Sequence, residues 1–80
     1  MKILLVEDDP HVSAYVANGL REHGHVVDHS ASGREGLLLA SAGGYDVMVI
    51  DRMLPGLDGV AIVKTIRAAG ARAPVLLLTT

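Results

Sequence analysis

Cysteine, phenylalanine and tryptophan are all missing from this 80-residue chain, and two tyrosines are its only aromatic residues. Without cysteine, neither a disulfide nor a thiolate metal site can staple so small a fold, and a reducing, cytoplasmic setting is expected. Without Phe or Trp, the core has to come from aliphatic side chains, which the 50% hydrophobic content supplies. Long apolar runs are lacking too. Ile3-Leu4-Leu5-Val6 runs straight into Glu7-Asp8-Asp9, which is too short for a signal segment or a membrane span. There is no excess of positive charge. A net charge of -2 argues against the chain gripping nucleic acid by itself. The length allows one domain, spanning residues 1–80, near the lower limit for a core without staples.

What is present is a dense alternation of short elements. Ile3–Val6 is a continuous apolar run, the pattern of a strand covered on both faces. Asp9-Pro10 reads as an N-cap with proline at the first helical position. Val12, Tyr15, Val16 and Leu20 then share one predicted helix face, which ends at Gly24. Residues 25–29, His-Val-Val-Asp-His, form a polar strand suited to a sheet edge. Ser32-Gly33-Arg34-Glu35 has capping-box spacing before a helix with Leu37, Leu38 and Ala40 on its apolar side. Gly43-Gly44 ends it, and a strand follows over 46–50. Asp58 caps a third helix carrying Val60, Val63, Ile66 and Arg67, closed near Gly70. Pro74 introduces a fourth strand, Val75–Leu78, before Thr79-Thr80. Right-handed crossovers turn this order into a parallel α/β sheet with helices on both faces. The chain stops on an apolar strand that would lie at an exposed edge. Natural domains avoid this, so a truncated sheet is expected.

The stretch "DVMVIDRMLPGLDG", residues 46–59, poses the chemical question. An apolar strand ends on a carboxylate, Asp51, and an acid there loses hydration unless something compensates. Ligands of open parallel sheets bind beyond the carboxyl ends of the strands, where strand order reverses. The first strand ends in Glu7-Asp8-Asp9 and the third in Asp51, so neighbouring strands would bring several acids into one pocket. Crowded carboxylates raise a pKa or recruit a cation, and an all-oxygen acidic pocket suits magnesium. A lone acid after a strand would be read as a helix cap, as Asp9 and Asp58 are. A pair of acids facing a third favours a site. Asp51 could then act as a nucleophile towards phosphorus, and Thr79 would offer a hydroxyl to the same group. Pro55-Gly56 makes a tight turn after Asp51, and Gly59 lets the backbone pass closely.

"KILLVEDD", "VMVIDRMLPGLDG" and "PVLLLTT", in this order, resemble the receiver domain of two-component response regulators. "MLPG" most resembles receivers that precede a winged-helix DNA-binding domain in bacterial transcription factors. The resemblance covers the whole chain and implies a flavodoxin-like parallel sheet, incomplete, with strand order 2-1-3-4. It implies a phosphoacceptor module of a phosphorelay, with Asp51 taking a phosphoryl group from a sensor histidine kinase. It also implies Mg2+ held by Asp8, Asp51 and the Met53 carbonyl, with Glu7 acting through water. Thr79 matches the hydroxyl that follows the phosphoryl group during switching. The family's fifth strand, phosphate-binding lysine, switch aromatic and last two helices have no counterpart here. Neither Lys2 nor Lys64 occupies the lysine's place. Transcription control would then pass through a DNA-binding domain outside these residues.

Two other readings compete. An Asp-nucleophile hydrolase resembling the haloacid-dehalogenase relatives would carry a second acid two residues after Asp51. Met53 stands there, which argues against turnover and against an enzyme. An inert or oligomerising folding piece would hide the Val75–Leu78 edge by pairing with a second copy, giving a homodimer. His23, His25 and His29 read as loop and edge-strand polar residues, His25 and His29 lying too far apart on one strand face to share a metal. Lys64, Arg67 and Arg72 read as a solvated helix face. "GREG" and "GLDG" match no nucleotide-binding fingerprint.

Overall fold

The computed structural model describes residues 1–79. Its elements run β1 (Lys2–Val6), α1 (Pro10–Glu22), β2 (Val26–Ser30), α2 (Gly33–Ala42), β3 (Val47–Asp51), α3 (Gly59–Ala68) and β4 (Val75–Leu78). The sheet is wholly parallel, in the order β2-β1-β3-β4. β1 is therefore paired on both sides, and its apolar run is buried on both faces as its pattern requires. Leu4 and Val6 point into one layer with Met48, Ile50, Leu54, Ile62 and Ile66, beneath α2 and α3. Ile3 and Leu5 point into the other with Ala17 and Val27, beneath α1. Alternation along a strand divides one short sequence between two cores.

The helix starts follow the caps. The Asp9 carboxylate accepts from the His11 and Val12 N–H groups, and Asp58 accepts from Val60. Ser32 accepts from the Glu35 N–H at 3.3 Å, which is one half of a capping box. The reciprocal half is not formed, because the Ser32 N–H is given instead to the hydroxyl of Ser30.

The helix faces differ from expectation. α1 buries Ser13 and Ala17, with Val16 and Leu20 packed alongside, whereas Tyr15 is 84% exposed and Val12 is also outside. Small residues let α1 sit close on the sheet. With about 100° of turn per residue, that contact line rotates Val12 and Tyr15 towards solvent. On α2 the buried line is Gly33, Gly36 and Ala40, and Leu38, two positions from Ala40, is 73% exposed. On α3 the anchors are Ile62 and Ile66, with Val60 and Val63 half-buried beside them. β2 and β3 each begin one residue later than the sequence suggested, so His25 precedes its strand and shares no strand face with His29.

Candidate functional site

Pairing of β1 with β3 sets Val6 against Ile50, so the residues just beyond, Glu7-Asp8 and Asp51, meet at the carboxyl edge of the sheet. One carboxylate oxygen from each of Glu7, Asp8 and Asp51 lies within 4.8 Å of the others. Among the described residues no other three His, Cys, Asp or Glu side chains converge in this way. The expected convergence of acids is therefore present, and it follows from strand order alone.

The three carboxylates sit in different surroundings. Asp8 is exposed and Asp51 half-buried, while Glu7 is only 6% exposed. Burial first, and then a hydrogen bond shared with the Asp51 side chain, push the Glu7 carboxyl up from 4.5 to about 7. The Asp9 N–H, donating to Glu7 Oε2 at 3.3 Å, opposes that rise. Asp51 Oδ1 accepts from the Met53 N–H at 3.1 Å, a turn that bends the chain sharply after the acid. Met53 itself is exposed.

A hard, oxygen-preferring divalent cation fits this donor set. The donors are all carboxylate oxygens, they are crowded, and burial drives one of them towards protonation.

Gly59 permits the turn back into α3. Its N–H donates to the Arg52 carbonyl at 3.0 Å, and a Cβ there would collide with the Asp51 carbonyl oxygen. Thr79 follows Leu78, which pairs with Asp51, and so stands at the same rim one strand over. No hydrogen bond joins Thr79 to the acids. The lysines are elsewhere. Lys2 Nζ lies over the Tyr45 ring, 5.1 Å from its centroid at the amino end of the sheet, and Lys64 is exposed on α3. A surface hollow runs along α1 between Tyr15, Leu20 and His23, away from the acids.

Beside the site stand His29, read from the sequence only as an edge-strand polar residue, and Ser30, which the sequence did not single out. His29 Nε2 lies 2.8 Å from the Glu7 carbonyl oxygen, and the Ser30 carbonyl accepts the Glu7 N–H at 3.0 Å. Both lie at the end of β2, opposite the end of β1. Only the β1–β2 register could have flagged them.

The comparisons with known proteins agree with this geometry. The profile of the response regulator receiver domain matches residues 3–80. The probable transcriptional regulatory protein SilR of Salmonella typhimurium is 48% identical over 79 residues, covering 99% of this chain and 35% of SilR. The transcriptional regulatory protein HprR of Escherichia coli is 46% identical, with the same coverage. The chain thus spans about a third of the length of these relatives. Among solved structures, the response regulator TrrA of Thermotoga maritima in complex with Mg(2+)-BeF superposes with a TM-score of 0.90 at 32% identity, covering 98% of this chain and 68% of TrrA. TrrA in complex with the histidine kinase ThkA gives 0.88 at 32%, covering 99% and 68%.

Proposed function

The chain belongs to the response regulator receiver domain family, and from that we propose that it is a phosphoacceptor module in which Asp51 takes a phosphoryl group from the phosphohistidine of a sensor histidine kinase. The observation that carries this reading is the meeting of Asp51 with Glu7 and Asp8 at the ends of two paired strands, all three oxygens within 4.8 Å. An Asp51 oxygen attacks phosphorus in line, the bond from phosphorus to the histidine nitrogen breaks, and the imidazole leaves with a proton. Asp8, Asp51 and the Met53 carbonyl would hold Mg2+, with Glu7 acting through water. When bound, the cation neutralises charge on the phosphoryl oxygens. The chain's own part is to fix Asp51 through the Met53 N–H and to bring Thr79 to the rim for the transferred group.

The complex of TrrA with ThkA supports a histidine kinase as partner, and TrrA with Mg(2+)-BeF supports the metal. SilR and HprR, transcriptional regulatory proteins, support control of transcription in the cytoplasm through DNA contacts made outside this chain. Met53, where a hydrolase would need an acid, supports a carrier over an enzyme.

Labelling with a small phosphoryl donor and magnesium tests the reading. Asp51→Asn should abolish uptake, and unchanged labelling in that variant overturns it.

A second reading concerns assembly. β4 forms an edge, with Leu76 61% exposed and Leu77 also open. Such an edge supports pairing with a second copy of the chain. Sedimentation should show dimers that Leu77→Lys disperses, and a monomer at high concentration removes this reading.

A further inference from the structure

We propose that Ser30 is a positioning residue for the acidic pocket: it holds the β2–α2 turn as a strap between the Glu7 backbone and the loop that carries Met53. The inference rests on the magnesium reading above and extends it to residues that touch neither the ion nor the phosphoryl group.

The strap can be followed contact by contact. Ser30 closes β2 opposite Val6 and is 1% exposed. Its carbonyl accepts the Glu7 N–H at 3.0 Å, while His29 Nε2 meets the Glu7 carbonyl at 2.8 Å. Both backbone polar groups of Glu7 are therefore taken by the last two residues of β2. The Ser30 hydroxyl then binds Ser32 twice, donating to its carbonyl at 2.8 Å and accepting from its N–H at 3.2 Å. This pair of hydrogen bonds replaces the missing half of the capping box and sets where α2 begins.

At that start stands Gly33, buried against the loop over 52–58. A Cβ at Gly33 would lie 2.8 Å from the Leu57 carbonyl oxygen and 3.0 Å from Leu57 Cβ. Leu57 shares the loop with Met53 and with Leu54, whose side chain enters the core. The loop is tied to β4 at its start, where the Arg52 N–H donates to the Leu78 carbonyl at 3.0 Å, and the Met53 N–H is held by Asp51. Beyond Met53 its position is set by the buried Leu54, by the Gly59–Arg52 hydrogen bond and by the Gly33–Leu57 contact. A metal pocket needs its ligands held to a fraction of an ångström by groups behind them. Glu7 follows β1 and the Met53 loop follows β3, and the strap links the two through the start of α2, in addition to the direct pairing of those strands.

The bland alternative is a buried serine that only satisfies its own turn. The two accounts differ at Met53, which Ser30 does not touch. The test uses the 80-residue chain with Ser30→Ala, Gly33→Ala and a control, Ile66→Val. Ile66 is buried in the same core but sits at the far end of α3. Amide NMR of the metal-free protein should show both strap variants displacing the Met53 signal, and titration with magnesium chloride should show affinity weakened about tenfold. The control should lower the urea midpoint and leave both readouts in place. If Ser30→Ala fails to fold, Ser30→Cys, which keeps the side chain's shape and weakens both hydrogen bonds to Ser32, decides alone. A Met53 signal unmoved by the strap variants overturns the proposal. So does a magnesium affinity equal to that of the control. If the wild-type chain itself ignores magnesium, the metal reading falls, and the metal-free Met53 signal still judges the strap.

Discussion

Replacing Glu7 by glutamine should stabilise the protein, and by an amount that depends on pH. Glu7 is almost wholly buried beside Asp8 and Asp51, and its carboxyl is raised from 4.5 to about 7. The folded state therefore holds a proton that the unfolded chain releases. A raised acid contributes its full stability below about pH 4.5 and loses it as pH climbs to about 7. Above that, the folded state carries an ionised, desolvated carboxylate. At about 1.4 kcal/mol per pKa unit, the penalty approaches roughly 3 kcal/mol by pH 8.5. Glutamine keeps the shape and has no charge to bury. Urea unfolding of the two proteins should thus coincide near pH 4.5 and separate by about 3 kcal/mol at pH 8.5, the variant being more stable. Magnesium should narrow the gap, because a cation bound to the ionised wild-type trio adds about 1.4 kcal/mol at tenfold excess over its dissociation constant. Parallel curves for wild type and variant from pH 4.5 to 8.5 would refute the picture of a crowded, proton-holding pocket.

Gly59→Ala should destabilise the fold by about 2 kcal/mol, since its Cβ meets the Asp51 carbonyl and lies 2.9 Å from Arg52 Cα. The same variant should slow phosphoryl uptake, and normal labelling would show that the close approach is not needed to set Asp51. Ile62→Ala, at a fully buried position on α3, should cost about 3 kcal/mol in urea unfolding with little effect on the magnesium shift pattern. A loss below about 1 kcal/mol would mean that the aliphatic core collapses around the gap.

Much of the fold is written in local pattern. The β1 run announces burial on both faces, and Asp9, Ser32 and Asp58 announce three helix starts by side-chain chemistry alone. The acids are legible because strand ends are legible, and parallel topology does the rest. Helix faces were harder to place. Apolar periodicity chose Val12 and Tyr15 on α1, but the close approach of helix to sheet selected Ser13 and Ala17, which periodicity ranks low. Ser30 was silent for a different reason. Its proposed role depends on lying opposite the end of β1, a relation that is not local in sequence, and on taking the Ser32 N–H, which a capping-box pattern assigns to Glu35.

The pairing of β1 with β3 also orders events in time. Ile3 lies against Val47, so the chain must close a long loop, with β2 and two helices inside it, before the pair can form. Contacts between such distant partners are entropically late and slow a folding reaction. The carboxylate trio does not exist until that closure is complete, so a cation bridging it has nothing to bind in the earlier, partly formed states. Magnesium should then act as a brake on unfolding and leave the folding limb of the chevron nearly unchanged. A pocket built across the longest-range pairing in the sheet is a pocket that reports, by its occupancy, that β1 and β3 have docked.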